Sequence, residues 1–317
     1  MGKSKVKVPG RGPISKKVLS GLRKSINRKI IDISELKNAK IHAENLDKTT
    51  ISTEELSRFD PLHGVYIYAL NKISIFTEQL AELPAVSRLT NAYAGAEDLY
   101  MPSGPPMSPL TGSYFSCWGF FDLCAGIKRE SFGTITVDLC RSLGVDQGLL
   151  TVFECMQNSR MGFYVHEGIS GQYVFLRELI TEKQVKAIVP SGYRGNPGEI
   201  WFVRVMPEPF PGFTYGYSVV FTTPYVILEM KESKFFSSNE KDWTLFFDRN
   251  LKKIGRNSKK ASYEFFMKYG LNRHYWNEYI FEGYVNHQQE MIMLAGFPDI
   301  PLSKPHSRES EERMEAW

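Results

Sequence analysis

The chain has 317 residues, 42% of them apolar and 23% charged, and carries a formal charge of +4 from 39 basic and 35 acidic side chains. A chain of this length suits two modest domains or one large mixed one, and about 300 residues can bury roughly 75% of the unfolded surface, so neither disulfides nor a structural metal is needed. The longest apolar run, 117–127, is interrupted by Asp122 and falls well short of the about 20 residues that cross a bilayer, which excludes a membrane span.

The charge is unevenly distributed. Residues 1–31 contain ten Lys and Arg and no acidic side chain, leaving 29 basic against 35 acidic residues in the remainder. The chain therefore reads as a basic arm on an acidic body. Its first fourteen residues, rich in Gly, Pro and Lys, are expected to be disordered. From Ser15 onward, Val18, Leu19, Leu22, Ile26 and Ile30 recur at helical steps, with Lys16, Lys17, Arg23, Lys24 and Arg28 spread over the other side. This pattern predicts a short basic amphipathic helix, weakened at Gly21 by up to about 1 kcal/mol relative to Ala.

Residues 32–58 are polar and mixed in charge, and read as a short strand or loop followed by a linker. A helix is predicted over 59–83, ended by Pro84. The four prolines of 101–112 point to a surface loop or subdomain boundary. Three short helices follow, over 114–127, 134–143 and 146–159, with Gly144 as a C-terminal cap and Asp146 as an N-cap.

The period then changes from helix to strand. Segments 163–166, 173–180, 185–189, 199–206, 217–222 and 225–229 are short and rich in β-branched and aromatic residues, with Gly, Asn and Pro turns between them. They predict an antiparallel meander that closes into a small SH3-like or OB-like barrel and so hides its edges. Helices are predicted again over 243–254, capped by Asn239, over 261–269 and over 273–295, before a polar tail. The fold class is thus α+β: helical N- and C-terminal regions around a small antiparallel β-barrel or curled meander sheet. The organisation is a basic arm (1–31), a helical region (32–161), the barrel (162–230), a second helical region (231–303) and a charged tail (304–317).

Chemistry is thinly marked. Cys117, Cys124, Cys140 and Cys155 lie among apolar neighbours without C-x-x-C spacing, and read as buried reduced thiols of a cytoplasmic protein. The histidines and glutamates of 273–295 include no H-E-x-x-H or E-x-x-H arrangement, and no nucleophile elbow or phosphate loop occurs. No metal site or cofactor is expected. Two surfaces remain. The arm, through Lys16, Lys17, Arg23, Lys24, Arg28 and Lys29, would attract a polyanion by counterion release, unless its apolar face docks on its own acidic body. The strand block interleaves Tyr164, Tyr193, Trp201, Phe213, Tyr215 and Tyr217 with Arg177, Arg194 and Arg204, a composition that suits single-stranded nucleic acid. Within it, the loop Ser191-Gly192-Tyr193-Arg194-Gly195-Asn196 has the character of a ligand loop. The leading expectation is a non-enzymatic binding protein for nucleic acid or another polyanion. The alternatives are an enzyme using Arg177, Glu178, His166, Arg194 and Glu199 between barrel and helices, and a subunit that binds a protein partner.

Overall fold

The computed structural model describes residues 12–26, 33–101, 103, 110–210, 212, 215–231, 234–237 and 239–270. The helix expected over 273–295 and the charged tail lie outside the described residues. In chain order the elements are α1 (Pro13–Ile26), α2 (Ile33–Thr49), α3 (Thr53–Leu56), α4 (Pro61–Ala81), α5 (Ser87–Tyr100), α6 (Gly112–Cys117), α7 (Phe132–Leu143) and α8 (Gln147–Asn158). Strands β1 (Met161–Ser170), β2 (Tyr173–Glu178), β3 (Gln184–Ile188), β4 (Ile200–Met206), β5 (Ser218–Val220), β6 (Tyr225–Val226), β7 (Leu228–Lys231) and β8 (Lys234–Ser237) follow, then α9 (Glu240–Ile254) and α10 (Lys259–Tyr269).

Most helix ends obey local capping chemistry. Asp60 caps α4 by accepting from the amides of Leu62 and His63, Asp146 accepts from Leu149 N–H, and Asn239 from Lys241 N–H. Two expectations need correction. Residues 32–58 are neither strand nor linker but carry α2 and α3. The α2 segment, ISELKNAKIHAENLDKT, contains good helix formers and no Gly or Pro, but lacks the apolar stripe that marks a helix in a sequence. The helix expected over 114–127 is also cut short. It widens into a π-turn at Trp118–Asp122, and the chain then reverses through a bridge between Ala125 and Glu130.

The strands form the expected small barrel. The sheet runs β1-β2-β3-β5-β4, and β1 pairs again with β4 to close the ring. The closure differs from a simple meander in one contact: β3 and β5 run parallel, through Ala187 beside Ser218 and Ile188 beside Val219. The result is a closed five-stranded mixed barrel rather than the all-antiparallel one expected. The β3–β4 connection is the glycine-containing loop, without a helix. β6 adds to the outside of β4, and β7 and β8 form a separate hairpin.

The two-residue period of the strands divides the core. Tyr164, Val174, Leu176, Val185, Ala187, Trp201, Val203 and Val220 fill the barrel. Phe163, Val165, Ile200 and Phe202 face outward into a helical core that they share with Ile135 of α7, Trp243 and Phe247 of α9 and Phe266 of α10, and that Val18 and Leu19 of α1 extend. Both faces of β4 are therefore buried, and Arg204, one step beyond Val203, points into the helical layer. There it donates to Asp122, at the end of the π-turn, and to Ser159 Oγ at 3.0 Å. Lys268 of α10 donates to the other Asp122 oxygen and to the carbonyls of Gln157 and Ser159, each at 2.8 Å. Both Arg204 and Asp122 side chains are 1% exposed. Burial pushes Lys268 down to about 8, with Arg204 adding to the fall and Asp122 opposing it.

Asp122→Asn would leave Arg204 and Lys268 as buried like charges with no counter-ion. We expect a loss of about 3–5 kcal/mol in urea unfolding; a loss below about 1 kcal/mol would show that the pair is not the joint it resembles.

Candidate functional site

The basic helix is docked. Val18 and Leu19 are 2% and 5% exposed, and each such burial contributes roughly 1.5–3 kcal/mol against the cost of ordering the segment. The N-terminus of α1 is held by a residue far away in sequence: Glu130 accepts from Ser15 N–H at 2.8 Å and from Ile14 N–H at 3.0 Å. A carboxylate here satisfies two amides that the helix cannot pair itself and sits at the positive end of its dipole. The capping position is Gly12, where a methyl group would overlap the Glu130 carboxyl. The self-docking alternative thus describes residues 13–26, and α1 belongs to the core rather than to a free arm.

Docking leaves the cationic side outward. Lys16, Lys17, Arg23 and Lys24 are all exposed, and none is in an ion pair with a described residue. Arg28 and Lys29 lie outside the described residues. The cations of the strand block behave differently. Arg177 bonds to Glu167, Glu182 and Glu240 at 2.9–3.0 Å. Arg160 joins Glu178 and Glu264, and Arg204 is committed to Asp122. Of the aromatics named with them, Tyr164 and Trp201 are barrel interior, and Tyr215 and Tyr217 are part-buried, with Tyr217 donating to Asp60 at 2.8 Å. Phe213 lies outside the described residues.

The predicted loop sits at one end of the barrel. Tyr193 is 38% exposed and donates to Glu199 at 3.0 Å, as do Asn196 at 3.0 Å and the Trp201 indole at 2.8 Å. Burial alone would raise the Glu199 carboxyl, but these three donors outweigh it and hold its pKa below the ordinary value. Arg194 donates to Gly171 O at 2.6 Å and so ties this loop to the β1–β2 turn. Gly195 is irreplaceable for two reasons: its φ is +63°, and a methyl group there would overlap Trp201 and Glu199. The polar groups are thus committed to shaping the loop, leaving the Tyr193 ring and the Arg194 stem as its open surface.

His166 projects into the same end of the barrel, against Trp201 at 4.9 Å between ring centres. It is 1% exposed, and neither ring nitrogen has a well-formed hydrogen bond. Burial lowers its pKa below the ordinary 6.5, with Glu199 and the Arg194 backbone pulling the other way. The five residues of the catalytic alternative do not converge. Glu178 is paired with Arg160, Arg177 is on the outer face with its three carboxylates, and His166, Arg194 and Glu199 are at the loop. Cys155 bonds to the Tyr66 hydroxyl. Burial pushes the Cys117 and Cys140 thiols up to about 11, away from nucleophilic use. Among the described residues no group of His, Cys, Asp and Glu is placed to hold a metal.

Two features escaped the sequence reading. Glu130 carries no local signal, because its partners are 115 and 116 residues away. On the outer β2–β3 face, Phe175 is 37% exposed beside Lys186, which stands 4.0 Å over the Tyr173 ring. The alternation of β2 could have placed Phe175 outward once the barrel interior was identified.

No protein-family model matches this chain, and comparison with curated proteins and with solved structures returns no match.

Glu130→Ala and Gly12→Ala should each loosen α1, the first by removing its acceptor and the second by overlap. Hydrogen exchange in the amides of residues 14–19 should speed up as about 1–3 kcal/mol of local stability is lost; unchanged protection would refute the capping role. His166 gives a pH prediction. Its folded pKa is depressed, so the stability contributed by the neutral ring is present above 6.5 and lost as pH falls below it. The melting temperature should drop from pH 7 to pH 5, and His166→Leu should flatten that drop in circular-dichroism melts.

Proposed function

We propose that this chain is a non-enzymatic binding protein that takes a polyanion, nucleic acid first among them, on the outer face of α1. The observation that carries this reading is a contrast in charge pairing. Arg160, Arg177, Arg204 and Lys268 are each engaged by carboxylates, whereas Lys16, Lys17, Arg23 and Lys24 stand together on a docked helix without one among the described residues. A row of exposed cations on a docked helix holds condensed anions, and a polyanion that replaces them gains from counterion release. Tyr193 and Arg194 at the barrel loop, and Phe175 and Lys186 on its β2–β3 face, are the contacts we assign to unstacked bases. Small five-stranded barrels such as the OB-fold offer a sheet face and loops to single strands. The four cysteines are free, which suits a reducing compartment such as the cytoplasm.

Deleting residues 1–31 would also remove Val18 and Leu19 from the core, so charge neutralisation is the cleaner test. Binding of a labelled single-stranded oligonucleotide, followed by fluorescence anisotropy between about 50 and 200 mM salt, should weaken steeply. The fourfold change of Lys16, Lys17, Arg23 and Lys24 to Gln should reduce the log–log salt slope by about 3. An unchanged slope, or no binding by the unaltered protein, would overturn the proposal.

A further inference from the structure

On a part of the surface to which α1 contributes no lining residue is a cleft of about 400 Å³, lined by Arg88, Cys124, Gly126, Ile127, Arg129 and Tyr269. It is built from three places: the start of α5, the segment 124–129, and the last residue of α10. Its volume is in the range of small-molecule sites, roughly 300–1,000 Å³.

Three observations bear on its ligand. First, Arg88 and Arg129 both line it, and neither is in an ion pair with a described residue. The neighbouring acids are already engaged: Glu130 by the amides of Ile14 and Ser15, and Asp122 by Arg204 and Lys268. Second, positive charge is concentrated further by stacking. The Arg129 guanidinium is 4.4 Å from the Phe265 ring centre and 4.7 Å from that of Tyr269, and Arg256 is 4.1 Å from the same Phe265 ring. Third, Arg129 holds a left-handed backbone, φ +51°, which a non-glycine residue adopts only when its surroundings impose it. The bridge between Ala125 and Glu130 imposes it here, and presents the fully exposed Ile127 at the rim.

We propose that this cleft binds a small phosphomonoester carrying a planar ring, of the nucleoside monophosphate class. The phosphate, with a charge near −2 and three acceptor oxygens, lies between Arg88 and Arg129 and neutralises both. The ring packs along Ile127 and the edge of Tyr269. A lone carboxylate would leave one of the two guanidinium charges uncompensated. The site does not depend on the polyanion reading of α1.

The test is calorimetric titration of the full chain with adenosine monophosphate, adenosine and inorganic phosphate. The monophosphate should bind at least tenfold more tightly than either of its parts. Arg88→Gln and Arg129→Asn should each weaken it at least tenfold; Asn tolerates the left-handed backbone, so the turn persists. Arg129→Gly relieves the backbone strain and should melt no lower than the parent while losing the ligand. The fourfold α1 variant should bind the monophosphate as before. Absence of monophosphate binding, its persistence when Arg88 and Arg129 are both changed, or its loss in the α1 variant would each overturn the assignment. Equal affinity for inorganic phosphate would overturn the role of the ring.

Discussion

A single carboxylate, Asp122, answers two cations that arrive from different elements of the fold. Arg204 reaches it from the barrel wall and Lys268 from α10, while the carbonyls of Gln157 and Ser159 take the remaining lysine protons. Burying three charges is costly, and such a cluster is weak evidence for net stability. Its value is positional. The carboxylate is satisfied only when the π-turn, β4 and α10 are each in place, so the cluster discriminates against other ways of stacking these apolar surfaces. The depressed pKa of Lys268 registers the same imbalance, two positive groups against one negative.

Everything around the cluster follows from having both faces of β4 covered. The inner face packs the barrel, and on the outer face Phe202 lies 5.4 Å from Phe163 of β1 between ring centres. Phe163 in turn lies 4.8 Å from Trp243 and 5.2 Å from Phe247 of α9. That leaves α1 to cover the flank formed by α7 and the turn before α5, where its two buried apolar residues and its cap from Glu130 suffice. The same arrangement turns the lysines of α1 toward solvent, so the surface proposed for a polyanion results from the way the core is completed.

The coarse architecture was legible because its signals are local. Caps at Asp146 and Asn239, the stop at Pro84 and the change of period near Gly162 all act within a few residues. Strand positions followed from β-branched and aromatic runs, although β1 continues through a bulge at Gly168 that reads as a turn. What could not be read is non-local. The parallel β3–β5 contact depends on how the barrel closes, and α2 lacks the stripe by which helices are recognised. The fate of each arginine depended on carboxylates elsewhere: Arg204 and Arg88 look alike in sequence, yet one is the most buried cation of the fold and the other faces an open cleft.

The placement of Arg204 also bears on how such a barrel could be inherited. A small closed barrel could in principle be moved between proteins as a unit with its loops. Here the segment from β1 to β6, taken alone, would expose Phe163, Ile200 and Phe202 and carry an arginine whose counter-ion stays behind on a helix 82 residues upstream. The barrel cannot be exchanged without its helical casing, and the casing cannot drift without it. Any recombination that preserved this fold would have to cut outside both.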